Sequence, residues 1–94
     1  MNRRILVIED EVNIQELLKY NLEKNGYLVT IVGNGIDGLE EATANIPDLI
    51  ILDLMLPGLS GIEICRRIRK ESDVPIIMLT AKDDVTDKVM GLDS

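Results

Sequence analysis

Three uninterrupted aliphatic runs, Ile5–Ile8, Leu49–Leu52 and Ile76–Leu79, constrain this chain more than any other feature. A strand with one wet face alternates apolar and polar residues, whereas a continuous run suits a strand covered on both faces. A fourth run, Leu28–Val32, is interrupted only by Thr30. Between the runs, apolar residues recur at helical spacing. Ile14, Leu17, Leu18 and Leu22 make a first stripe, Leu39, Ala42, Thr43 and Ile46 a second, Ile64, Cys65 and Ile68 a third, and Val85, Val89 and Leu92 a fourth. The order is βαβαβαβα, which predicts a single α/β domain with a parallel sheet between helices and right-handed crossovers.

Local punctuation agrees. Gly26 after Lys24-Asn25 reads as a helix C′ residue. Ser60-Gly61-Ile62-Glu63 matches a capping box, in which Ser60 and Glu63 satisfy each other's backbone donors. Asn34 and Asp83 read as N-caps of the second and fourth helices. Pro47 and Pro75 stand just before the third and fourth strands, where a missing amide donor does little harm.

Composition narrows the function. Seventeen acidic residues against ten basic give a net charge of −7, which argues against a duplex-DNA surface. The basic cluster Arg66, Arg67, Arg69 and Lys70 reads as a solvated helix face. Two aromatic residues, Tyr20 and Tyr27, make no base-stacking platform. The single Cys65 excludes an intrachain disulfide and a multi-cysteine metal site, and its place on the third stripe reads as core. No apolar run approaches the roughly 18 residues that span a bilayer. The expectation is a cytoplasmic protein without membrane or direct nucleic-acid contacts.

In open parallel sheets, ligands bind beyond the carboxyl ends of the strands, where strand order reverses. The first strand runs into Glu9-Asp10-Glu11, the third ends in Asp53 and the fourth in Thr80-Ala81. If strands one and three are neighbours, Glu9, Asp10 and Asp53 share one crevice. Such acids repel one another, so they raise a pKa or recruit a cation. Oxygen ligands without His or Cys select a hard ion such as Mg²⁺, with the backbone carbonyl of Met55 as a further candidate ligand. The chemistry expected is phosphoryl transfer onto Asp53, with the Thr80 hydroxyl meeting a phosphoryl oxygen. A hydrolase with an Asp nucleophile is less well matched, because Met55 stands two residues after Asp53, where a second acid is needed. No glycine-rich phosphate loop follows the first strand, which disfavours a nucleotide site.

The segments Ile5-Leu6-Val7-Ile8-Glu9-Asp10-Glu11, Asp48–Gly58, Ser60-Gly61 and Pro75–Ala81 closely resemble the receiver domain of bacterial two-component response regulators. The wording is most similar to the subfamily with a winged-helix effector. The resemblance runs from about residue 3 to the end and treats residues 1–94 as one receiver segment. It implies a flavodoxin-like, doubly wound sheet in strand order 2-1-3-4. It makes Glu9 and Asp10 the acidic pair, Asp53 the phosphoacceptor, the Met55 carbonyl a Mg²⁺ ligand and Thr80 the switch hydroxyl. The implied donor is a sensor histidine kinase, with small phosphodonors as substitutes, and the implied output is transcriptional regulation through a downstream effector. Such a module is a phosphoacceptor rather than an enzyme, with at most self-catalysed phosphorylation and dephosphorylation.

Members of that family continue with a fifth strand, carrying a Lys-Pro pair, and a fifth helix; Lys82 and Lys88 do not match that Lys by position. The expectation is therefore a chain cut before its fifth βα unit. The alternative is a non-switching structural fragment that self-associates through the exposed edge of its fourth strand.

Overall fold

The computed structural model describes residues 2–79. In chain order they form β1 (Arg4–Ile8), α1 (Val12–Lys24), β2 (Leu28–Val32), α2 (Gly35–Ala44), β3 (Leu49–Asp53), α3 (Gly61–Arg69) and β4 (Ile76–Leu79). Each expected strand is present to within one residue. The fourth stripe, the Asp83 cap and Thr80 lie outside the described residues.

The strands pair in parallel in the order β2-β1-β3-β4, with β1 between β2 and β3. Register puts Ile8 beside Val32 on one side and Leu52 on the other, and Asp53 beside Leu79. Side chains alternate across the sheet, which explains the unbroken aliphatic runs. Leu6, Ile8, Ile50, Leu52, Ile76 and Met78 face a core closed by Ala42 of α2 and by Ile64 and Ile68 of α3. Ile5, Val7 and Ile51 face the opposite side, where Leu18 and Leu22 of α1 pack. Each such side chain, fully buried, contributes about 1.5–3 kcal/mol.

The helices correct the expected stripes. Ile14, Leu18 and Leu22 are half-buried, but Leu17 is 61% exposed, on the wet side of α1. In α2 the buried residues are Gly35, Gly38 and Ala42, while Thr43 is exposed and Ile46 lies exposed beyond the helix end. The reason is close approach. A Cβ at Gly38 would stand 2.7–2.9 Å from three carbons of Ile8, so α2 rests its backbone on the sheet through small residues. A reading that searches for large apolar residues misses that face. The third stripe is as expected, with Ile64 and Ile68 buried and Cys65 half-buried against the same core.

Caps explain where the helices start and stop. Gly26, at φ 94°, donates its N–H to the Glu23 carbonyl, and Tyr27 donates to Leu22, the Schellman pattern at the end of α1. Asn34 Oδ1 accepts the Asp37 N–H at 2.8 Å. The capping box forms only by half. Ser60 Oγ accepts the Glu63 N–H at 3.2 Å, but the Glu63 carboxylate turns to Arg66 and Arg67. Two guanidinium donors outcompete one backbone N–H for a carboxylate, and the Arg67 hydrogen bond holds the Glu63 carboxyl below its ordinary range.

Candidate functional site

The carboxyl ends of β1 and β3 are adjacent because β1 pairs directly with β3. Glu9 is the residue after β1 and Asp53 is the last residue of β3; each is 2% exposed. Asp10 is exposed at the mouth. Glu9, Asp10 and Asp53 each offer a carboxylate oxygen within 4.8 Å of the other two, and no other trio of potential ligands among the described residues converges in this way. The expected convergence of these three acids is therefore present.

Backbone donors fix these side chains. The Glu9 N–H donates to the Val32 carbonyl at 3.0 Å, anchoring the turn to β2. Glu9 Oε2 accepts the Glu11 N–H at 2.9 Å. Asp53 Oδ1 accepts the Met55 N–H at 3.1 Å. The Met55 side chain is 63% exposed and turns away into solvent. Glu11 begins α1 without capping it by its side chain, so the acids here do not serve as an ordinary helix start.

Electrostatics follow from the burial. The Glu9 carboxyl is pushed up from 4.5 to about 7, first by its burial and then by the negative charges of Asp53 and Asp10, against the opposing Glu11 N–H. Its other oxygen, Oε1, is buried and has no hydrogen-bond partner among the described residues. A buried carboxylate oxygen left bare beside two further acids is costly unless a proton or a cation meets it.

Sequence reading missed two residues that shape this site. A Cβ at Gly61 would lie 2.5 Å from the Asp53 carbonyl oxygen, so the start of α3 rests directly on the Asp53 backbone. Its N–H also donates to the Leu54 carbonyl at 3.3 Å. The half-buried Gln15, in the first turn of α1, donates Nε2 to the Glu9 carbonyl at 2.6 Å. The Ser-Gly pair flagged Gly61 as a helix start only, and nothing in the sequence marks Gln15. A surface hollow of about 650 Å³ lies elsewhere, beside β2 and α2, among Asp37, Glu40 and Glu41. Those acids do not converge as the other three do.

Comparisons with known proteins agree with this geometry. The model of the response regulator receiver domain matches residues 5–94. The alkaline phosphatase synthesis transcriptional regulatory protein PhoP of Bacillus subtilis (strain 168) is 51% identical over 94 residues, covering 99% of this chain and 39% of that protein. The chain thus spans about two fifths of the length of this curated relative. Among solved structures, the response regulator protein TrrA of Thermotoga maritima in complex with Mg(2+)-BeF is 45% identical, with a TM-score of 0.81, over 86% of this chain and 71% of that one. The BeF3-activated N-terminal receiver domain of Klebsiella pneumoniae RstA is 32% identical, with a TM-score of 0.80, over 88% of this chain and 71% of that one. With its strand order, its paired acids after β1 and its aspartate at the end of β3, this chain belongs to the response regulator receiver domain family.

Proposed function

We propose that the chain is a phosphoacceptor signalling module that takes a phosphoryl group onto Asp53 with the help of Mg²⁺. The observation that carries the reading is the convergence of three carboxylates within 4.8 Å of one another, one of which, Glu9, carries a buried oxygen with no partner among the described residues. That donor set fits a hard divalent cation, because it is all oxygen and surplus in negative charge. Glu9, Asp10, Asp53 and the Met55 carbonyl are the residues that would hold it. Bound there, the cation neutralises charge on the phosphoryl oxygens.

The chain's own residues do the rest. The Met55 N–H holds one oxygen of Asp53 and so presents the other as nucleophile. That oxygen forms a bond to phosphorus as the donor's bond to phosphorus breaks, and the leaving group departs with the electron pair. The product is an acyl phosphate. As a ligand Glu9 would be ionised, because only a deprotonated carboxyl holds a metal. Thr80 follows the last described strand residue and supplies the hydroxyl that meets the phosphoryl oxygens. The donor is a sensor histidine kinase, and the output is transcriptional regulation through an effector of the kind that the name of the PhoP relative describes. A cytoplasmic setting accords with this partnership; among the described residues no helix is long and apolar enough to cross a membrane.

The test is incubation with Mg²⁺ and a small phosphodonor such as acetyl phosphate, followed by borohydride reduction and peptide mass mapping. The expected result is one modification, at Asp53, absent from Asp53→Asn. Modification at another residue, or its persistence in Asp53→Asn, would refute the assignment.

A further inference from the structure

We propose that Gln15 is a positioning residue for the acidic site, an inference that rests on the cation-binding reading above. The Gln15 side-chain amide reaches from the first turn of α1 to the Glu9 carbonyl at 2.6 Å. The Glu9 N–H is already held by Val32, so this bond grips the Glu9 backbone on its second side. The carbonyl of Glu9 and the nitrogen of Asp10 belong to one rigid peptide plane. Holding the carbonyl therefore sets the direction in which the chain presents Asp10. It also sets the path to Glu11, whose N–H holds Glu9 Oε2 and so leaves Oε1 for the cation. A neutral amide does this without placing a positive charge where a cation must bind. Gln15 itself touches neither the cation nor the phosphoryl group; it acts through Glu9 and Asp10.

Residues that orient ligands in this way typically contribute about 10–100-fold to metal affinity. Because Gln15 acts through backbone, the lower end applies. In the full chain, Gln15→Met keeps the length of the side chain and removes the donor. Mn²⁺ affinity and hydrogen exchange at the Glu11 amide are measured together. Leu18→Ala, a packing change on the same helix, reports what a loss of stability alone does. Gln15→Met is expected to bind Mn²⁺ about tenfold more weakly and to lose Glu11 protection, with both preserved in Leu18→Ala. Should Gln15→Met not fold, Gln15→Ala removes the same donor without adding charge. Unchanged Mn²⁺ affinity and unchanged Glu11 protection in the donor-free variant would overturn the proposal. A wild-type chain that fails to bind Mn²⁺ would sink the cation-binding reading instead, and the Glu11 exchange would still decide whether Gln15 holds the turn.

Discussion

Replacing Glu9 by Gln removes a buried charge while keeping an acceptor for the Glu11 N–H. In the folded chain without metal the Glu9 carboxyl titrates near 7, against 4.5 as its ordinary value. Between those two values the folded state holds a proton that the unfolded state has lost. Stability conferred by that proton is complete below 4.5 and declines as pH rises towards 7. At about 1.36 kcal/mol per pH unit, the full cost above pH 7 is about 3 kcal/mol, and most of it develops between pH 5 and pH 8. Glu9→Gln has no proton to lose. It should be more stable than wild type at pH 8 by about 3 kcal/mol, which for a chain of this size raises the melting temperature by at least about 10 °C. The gap should close to below about 1 kcal/mol at pH 5. Urea or thermal unfolding in a chelator, at several pH values, measures the difference between the two chains, in which titrating groups away from Glu9 cancel. Mg²⁺ should narrow the gap at pH 8 by stabilising wild type more. Parallel pH profiles, or a Gln variant less stable at pH 8, would refute the argument that burial among like charges sets the behaviour of Glu9.

Other consequences follow from single contacts. Asp10→Asn should reduce the Mg²⁺-induced gain in thermal stability; equal stabilisation of variant and wild type would remove Asp10 from the ligand set. Gly61→Ala drives a methyl group to within 2.5 Å of the Asp53 carbonyl. It should cost about 1–3 kcal/mol in urea unfolding and slow phosphorylation of Asp53 by a small donor. Asn34→Ala removes the α2 cap and should cost about 1 kcal/mol by the same unfolding measurement, with acceptance of the phosphoryl group unchanged.

How far these features were legible depends on what each one rests on. The strands were readable because residues covered on both faces must be apolar without a break, so Ile5–Ile8 and Leu49–Leu52 announced their positions. The crevice was readable because acids that follow an apolar strand have few structural uses; which strands adjoin came from resemblance, since periodicity carries no strand order. The α2 contact was not readable, because Gly35 and Gly38 pack by their lack of a side chain, and glycine in a sequence reads equally as a turn. Leu17 was misassigned since four leucine or isoleucine positions in nine residues fit more than one helical face. Half of the capping box failed because Arg66 and Arg67 compete for Glu63, a contest that the four-residue motif omits. Gln15 was silent because its partner is a backbone carbonyl, which every residue has.

The most direct test of the central claim, that acids far apart in the chain meet around one hard cation, is a titration with paramagnetic Mn²⁺ followed by amide NMR. Amide signals of Glu9–Glu11 and Asp53–Met55 should broaden first, competitively with Mg²⁺, and Asp53→Asn should weaken the effect. Broadening that instead begins around Asp37, Glu40 and Glu41, and is indifferent to Asp53→Asn, would contradict it.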